Sequence, residues 1–366
     1  MKKPFAITLD VGTSLENRTG SWRTLRPTYV HKLPPCNKQC PAGEDIQGWL
    51  FYAESGNYEK AWRHLVKRNP FPSCMGRVCY HTCEGACNRG QLDESVGINS
   101  VERFLGDNAL ENGYKFEKPA KKTGKKVLIV GSGPAGLSAA YQLALKGHEV
   151  TVKEGSPEAG GMMRYGIPKY RLPRRVLDQE IARIAELGVK IELNYTVKSI
   201  EEEKAKFGYD AVFLGVGAGM AKNAYIPGGD AKHMMDAVSV LRSMEGEEEP
   251  LLGRRVVVYG GGNTAIDVAR SAKRLGAEPL IIYRRTRDKM PAHDFEVEEA
   301  LQEGVSVKWL STISEAENPK EIKIEKMKLD ENGNPQPTGE FETVEADTVV
   351  LALGQNVDQS LIDKIP

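Results

Sequence analysis

The residues best suited to chemistry are six cysteines, Cys36, Cys40, Cys74, Cys79, Cys83 and Cys87, all in the first quarter of a 366-residue chain. Four of them fall in CMGRVCYHTCEGAC, residues 74–87. Thiols at that density serve disulfides, a zinc ion or an iron–sulfur cluster. Disulfide frameworks belong mainly to small secreted domains, whereas clustered cysteines in an intracellular chain read as metal or redox sites. The spacings Cys36-x₃-Cys40 and Cys79-x₃-Cys83-x₃-Cys87 suit zinc and iron–sulfur ligation alike. Residues four apart on a helix share a face, so a helix through 79–83 would turn Cys79 and Cys83 the same way.

Two glycine turns add phosphate chemistry. In VLIVGSGPAGL the turn Gly131-Ser132-Gly133-Pro134-Ala135-Gly136 follows an apolar strand and opens a helix, the context that gives this fingerprint its meaning. Gly131 permits the tight turn, Gly133 the close approach of a pyrophosphate, and Gly136 close helix–strand packing. Glu154 ends the next strand, where a carboxylate accepts hydrogen bonds from ribose hydroxyls. The second turn, VVVYGGGNTA, carries Gly260, Gly262 and Ala265, and its following strand ends in Arg284 and Arg285 instead of an acid. Guanidinium groups engage a 2′-phosphate that a carboxylate would repel, which favours NADP(H) over NAD(H). Asn263 and Thr264 stand where they can cap the helix or touch the pyrophosphate.

These residues need a scaffold of three parts. Residues 1–120 read as a mainly helical, metal-binding domain, with amphipathic stretches at 45–68 and 98–110. Residues 121–248 form a first Rossmann-like domain, expected to resume at about 346–366, and residues 249–345 a second one. The fold class is therefore α/β, two tandem dinucleotide-binding domains behind a helical domain. Asn332-Gly333 between the alternating segments 323–329 and 339–344 predicts a hairpin on the second domain. Fifty Lys plus Arg balance fifty Asp plus Glu, so no footprint for nucleic acid appears. No apolar run approaches the length of a membrane span, and a cytoplasmic location is expected. Two nucleotide folds ask for two ligands, a tightly held flavin and a dissociable nicotinamide. Hydride transfer between them needs no side-chain acid or base, so no catalytic residue is named; His233 and His293 read as surface or packing residues.

The stretches CPAGEDIQGWL, NPFPSCMGRVCYHTCEGAC, VGINSVERF, GGMMRYGIPKYRLP, GGGNTAIDVAR and YRRTRDKMPA give the chain its kinship. It resembles the small (β) subunit of NADPH-dependent glutamate synthase and its relatives, which include the large subunit of bifurcating ferredoxin:NADP oxidoreductase and the N-terminal part of dihydropyrimidine dehydrogenase. The resemblance implies FAD in the first fold, NADPH in the second and [4Fe-4S] chemistry at the amino end. It implies that Gly160, Gly161, Arg164 and Arg171 lie near the flavin, and that Gly215, Gly217 and Gly354 line its nucleotide. One cluster would be held by Cys40, Cys79, Cys83 and the carboxylate of Glu102. Cys36 and Cys87 lack two partners, because Thr28 and His31 stand where relatives carry thiols; Cys74 either completes that set or is a buried small residue. One cluster is expected, and two if further ligands join. The family's closing flavin-binding segment has no counterpart after LIDKIP, so a fragment, or completion by another polypeptide, is expected.

A flavin beside the thiols favours iron over zinc, since reduced flavin gives up electrons singly and a cluster accepts one at a time. The expected function is passage of electrons from NADPH through FAD and [4Fe-4S] to a partner subunit or ferredoxin in a hetero-oligomeric complex. The alternatives are a ferredoxin-coupled or bifurcating NAD(P)H oxidoreductase subunit, and a non-catalytic nucleotide-binding scaffold with structural zinc.

Overall fold

The computed structural model describes residues 33–222, 226, 227, 234–246, 250–316 and 320–362; Thr28, His31 and His233 lie outside them. The amino-terminal part is helical: α1 (Pro35–Gln39), α2 (Ile46–Glu54), α3 (Tyr58–Leu65), α4 (Pro72–Val78), α5 (Thr82–Gly85) and α6 (Ile98–Glu111). Asp45 and Asn57 cap α2 and α3, each accepting the backbone N–H of the third residue of its helix. Gly76 and Gly106 allow α4 and α6 to cross closely. A methyl on Gly76 would lie 2.4 Å from Arg103 Cα, and one on Gly106 2.3 Å from the Ser73 nitrogen.

The first dinucleotide fold runs β1 (Lys126–Val130), α7 (Pro134–Leu145), β2 (Glu149–Lys153), α8 (Met162–Tyr165), α9 (Arg174–Ala185), β3 (Lys190–Glu192), α10 (Ile200–Phe207) and β4 (Ala211–Leu214). Its four strands are parallel in the order β3-β2-β1-β4. A short ribbon strand, β5 (Met220–Ala221), leads out of it. The second fold comprises β6 (Met234–Asp236), α11 (Ala237–Ser243), β7 (Arg255–Tyr259), α12 (Asn263–Arg274), β8 (Glu278–Ile282), α13 (Asp294–Gln302) and β9 (Ser306–Lys308). An antiparallel sheet of β10 (Ser311–Glu315), β11 (Glu321–Leu329) and β12 (Pro335–Glu345) is appended to it. The chain returns through β13 (Thr348–Leu351) and closes the ribbon with β14 (Gln355–Asn356) against β5. The predicted hairpin is present: Gly333 has φ +75°, and Asp330 Oδ1 accepts the N–H groups of Asn332 and Asn334.

Two boundaries differ from the sequence reading. β13 pairs with β7 and β6 in a five-stranded parallel sheet ordered β6-β13-β7-β8-β9, so residues 348–351 belong to the second sheet and do not rejoin the first. Its run TVVL is buried throughout, as a central parallel strand must be. β6, allotted to the first domain, joins the same sheet. The helical segment is also no separate body. One continuous hydrophobic core holds Trp49, Trp62, Leu65 and Leu105 of the helices together with Ile129, Leu137, Val152 and Leu177 of the first Rossmann fold.

Candidate functional site

The first glycine turn has the shape of a phosphate cradle. Gly131 sits at φ +97°, and a Cβ there would come within 2.4 Å of Gly215 O, so the β1 turn and the loop after β4 touch backbone to backbone. Gly136 is held equally closely: a Cβ there would lie 2.0 Å from Gly131 O. By contrast a Cβ on Gly133 meets nothing nearer than Gly161 Cα at 4.0 Å, which leaves open space where a pyrophosphate must approach. Ser132, Pro134 and Ala135 complete the turn, and Gly160 closes over it, its N–H donating to Ser132 O at 3.1 Å. Gly161 (φ +53°) packs against Gly133 so tightly that a methyl would lie 2.6 Å from Gly133 Cα. Gly217 (φ +69°) has open space around it.

Glu154 follows β2 and faces the turn. Its carboxylate accepts from the Ser132 N–H (2.8 Å), the Ser132 hydroxyl (2.7 Å) and the Ser156 N–H (2.8 Å). Burial pushes this carboxyl up, but those donors outweigh it and hold it below the ordinary carboxylate range. The group is thus an anion with lone pairs to spare for ribose hydroxyls. Arg164 is buried against Ala159 O (2.6 Å) and pairs with Asp178.

Arg171 reaches out of the first fold. Its guanidinium crosses to the second fold, gripping both oxygens of Asp267 at 2.8 Å and pairing with Glu296. It is a clamp between the two nucleotide folds, because the carboxylates that satisfy it stand on α12 and α13. Gly354 is likewise not in the first fold: it lies beyond β13, its carbonyl accepting the Lys222 N–H at 2.9 Å.

In the second turn Gly260 (φ +149°) is pressed against Ala352 O, Gly262 has open space, and Ala265 is fully buried. No side chain caps α12. Asn263 does not cap its helix: its Oδ1 accepts the His293 N–H (3.0 Å) and its Nδ2 donates to the Tyr80 hydroxyl (2.6 Å). Thr264 is half-buried beside it. Arg284 is exposed at the end of β8, and Arg285 carries a buried Nε that lacks a hydrogen-bond partner. An orphaned guanidinium N–H is a donor that a phosphate oxygen can satisfy.

The thiols separate into two groups and one outlier. Cys40, Cys79 and Cys83 form one group: Cys40 raises Cys79, and both raise Cys83. Cys83 is pushed up to about 12, by burial first and then by Cys79. Burial also raises Cys40 and Cys79, with Glu44 and Glu102 adding to it. Glu102 is buried and held far above the usual range by burial and by Glu44; Asn69 Nδ2 bridges the two carboxyls at 2.8 and 3.0 Å. Three thiols and two buried carboxyls, all raised by burial, are a donor set that positive metal charge would satisfy. Among the described residues no three His, Cys, Asp or Glu are gathered as a ready-made site for a single ion. Glu44 was not anticipated from the sequence, although it follows CPAG directly. Cys36 and Cys87 form the second group, each in the other's field, with Cys87 lowered by backbone N–H groups.

Cys74 joins neither group. It is fully buried, its N–H donating to Glu180 at 3.0 Å, and burial drives its thiol far up. It is a packing residue between α4 and α9. The helix expected through 79–83 is also broken: Cys79 ends α4 in extended conformation, and His81 (φ +39°) turns the chain before α5. The left-handed residue, and not a shared helical face, brings Cys83 back toward Cys79.

Residues 125–365 match the family model described as pyridine nucleotide-disulphide oxidoreductase. The chain belongs to that family. Residues 26–114 match dihydropyrimidine dehydrogenase domain II, 4Fe-4S cluster, so this family member carries an iron–sulfur domain ahead of its flavin and pyridine-nucleotide folds. It is 32% identical to the glutamate synthase [NADPH] small chain of Escherichia coli over 88% of this chain and 74% of that one. It is 39% identical to the NADP(+)-dependent formate dehydrogenase subunit beta of Moorella thermoacetica, over 90% of this chain and 52% of that one. The NADPH-Fe(3+) oxidoreductase subunit beta of Geobacter sulfurreducens is 38% identical, with 54% of it covered. The chain thus spans about half the length of these last two relatives. FprA of Mycobacterium tuberculosis in complex with NADPH shares the fold, with a TM-score of 0.54 at 21% identity over 63% of this chain and 71% of that one. Among the described residues no helix is long and apolar enough to cross a membrane.

Proposed function

We propose that this family member takes hydride from NADPH and delivers the electrons singly to a partner subunit of a hetero-oligomeric complex. FAD and one [4Fe-4S] cluster supply, when bound, the hydride acceptance and the one-electron steps. The chain's own residues select and place these groups. Arg284 and Arg285 discriminate for the 2′-phosphate, and Gly260, Gly262 and the α12 start receive the pyrophosphate. Glu154 holds the flavin nucleotide's ribose, and Gly131, Gly133, Gly136, Gly160, Gly161, Gly215 and Gly217 make room for its phosphates. Cys40, Cys79, Cys83 and Glu102 are the cluster ligands, with Cys36 and Cys87 outside that set. Domains follow as helical cluster domain, flavin domain, and a nicotinamide domain that includes β6 and β13.

The observation that supports this reading is the single core in which the thiol-bearing helices pack directly against the GSGPAG fold. The relatives' names leave the terminal acceptor to the partner; a subunit-beta role like that of the formate dehydrogenase and Fe(3+) oxidoreductase relatives rests on their higher identity. Anaerobic iron, sulfide and flavin stoichiometry, with stopped-flow bleaching by NADPH and NADH, tests the proposal. Four irons and one flavin per chain, and at least tenfold faster bleaching by NADPH, are expected. Colourless protein holding zinc would establish the scaffold alternative instead.

A further inference from the structure

The segment between Cys79 and Cys83 does more than space two thiols. Tyr80 and His81 project onto the second nucleotide fold. The Tyr80 ring stacks on His293, with centroids 3.8 Å apart and an interplanar angle of 18°, and His81 faces Phe295 at 5.7 Å. The Tyr80 hydroxyl accepts a hydrogen bond from Asn263 Nδ2 at 2.6 Å, and its own proton has no acceptor among the described residues. Asn263 is the first residue of α12, directly after the glycine turn. Its Oδ1 is turned away to the His293 N–H, and the neighbouring Ala292 N–H donates to Gly261 O at 3.1 Å. One amide therefore ties the cluster loop, the glycine turn and the segment before α13 together.

The consequence is electrostatic. A helix start binds pyrophosphate through N–H groups that no side chain has already satisfied. While Tyr80 and His293 hold both ends of the Asn263 amide, its oxygen does not compete for those donors. Without the phenol oxygen the amide is held at its oxygen end alone, by the His293 N–H, and that oxygen turns more readily toward the helix-start donors as a local rival of the phosphate.

We propose that Tyr80 is a positioning residue for the second nucleotide, contributed by the iron–sulfur domain, and that it links occupancy of that nucleotide site to the loop carrying Cys79 and Cys83. The inference rests on the reading of the second fold as the NADP(H) site. Linkage is reciprocal, so what the nucleotide does to the loop the loop does to nucleotide affinity.

The test uses the anaerobically prepared full chain with flavin and cluster in place, and NADP⁺ as the probe. Tyr80→Phe removes one hydrogen bond and keeps the stacking ring. Its Kd for NADP⁺, from titration calorimetry, is expected to rise about three- to tenfold, the size of one hydrogen bond. In a double-mutant cycle, Asn263→Ala combined with Tyr80→Phe should cost no more than Asn263→Ala alone. In the dithionite-reduced wild type, NADPH, which unlike NADP⁺ takes no hydride from the reduced flavin, should shift the cluster's EPR signal, and Tyr80→Phe should abolish that shift at saturating nucleotide. A Kd within twofold of wild type, additive losses in the cycle, or an EPR shift that survives in Tyr80→Phe each overturns the proposal. If the wild type binds no NADP⁺ at all, the nucleotide reading falls with it; if the wild type binds it and the variant binds equally, only the role of Tyr80 falls.

Discussion

Replacing Arg171 with Met removes the cation that spans the two nucleotide folds and leaves its shape largely filled. Asp267 and Glu296 are 7% and 1% exposed in their side chains, so neither can turn to water. Breaking such a buried pair from one side costs about 3–5 kcal/mol, and that is the expected loss at pH 8. Protonation limits the damage. Neutralising a carboxyl costs about 1.36 kcal/mol per pH unit above its ordinary value. For Asp267, with an ordinary value of 3.8, the ceiling is about 5.7 kcal/mol at pH 8 and about 2.3 at pH 5.5. Glu296 already titrates at about 7 with Arg171 in place, because burial outweighs the guanidinium. Its added ceiling is therefore about 1.4 kcal/mol at pH 8 and close to zero at pH 5.5. Thermal unfolding of Arg171→Met beside wild type at the two pH values checks this. The loss in Tm at pH 8 should be about 6 °C or more, at roughly 2–4 °C per kcal/mol for a unit of this size, and at pH 5.5 it should be smaller, bounded by the ceiling of about 2.3 kcal/mol. A loss under about 2 °C at pH 8, or one that does not shrink on acidification, refutes the clamp.

Glu180 is buried completely and titrates at about 7, raised by burial against the opposing Ser73 and Cys74 N–H donors. A raised acid stabilises below its unfolded value and loses that contribution as pH climbs through its folded value. Wild-type stability should thus fall by up to about 3 kcal/mol between pH 4.5 and 7 from this group, and guanidinium titrations of Glu180→Gln should show that slope removed. Gly161→Ala forces a methyl to 2.6 Å from Gly133 Cα at φ +53°, so flavin retained per chain, read from visible absorbance, should drop at least about tenfold, while Gly219→Ala, with open space around it and no left-handed φ, keeps most of it. Cys79→Ser should lose most iron and sulfide, whereas Cys74→Ser should keep both; equal iron in the two variants would show that the thiol grouping is wrong.

Much of the site was legible because its determinants are local. A Gly-x-Gly turn after an apolar strand constrains backbone geometry within a few residues, and Gly131, Gly136 and Gly260 each adopt positive φ or a close approach that only glycine allows. The hairpin at Asn332-Gly333 is local in the same sense. Glu102 was reachable only through family resemblance, since a glutamate in a helix carries no sign of burial. Glu44 followed a cysteine motif closely enough to have been suspected. Tyr80 had no signal at all: its partners Asn263 and His293 are about two hundred positions away in the chain.

What the sequence determined by itself was the set of parts: two phosphate-binding turns, one ending in an acid and one in paired arginines, and a thiol-rich helical segment ahead of them. Each follows from short-range sterics, charge or spacing, which a linear pattern encodes. Tertiary structure alone decided the assembly. It gave the last parallel strand to the second sheet, where burial on both faces suits TVVL. It sent Arg171 across a domain boundary to two buried carboxylates, withdrew Cys74 into the core, and laid the cysteine loop on the far nucleotide turn. Those outcomes depend on which surfaces lose water to one another, a sum over distant residues that no local pattern contains.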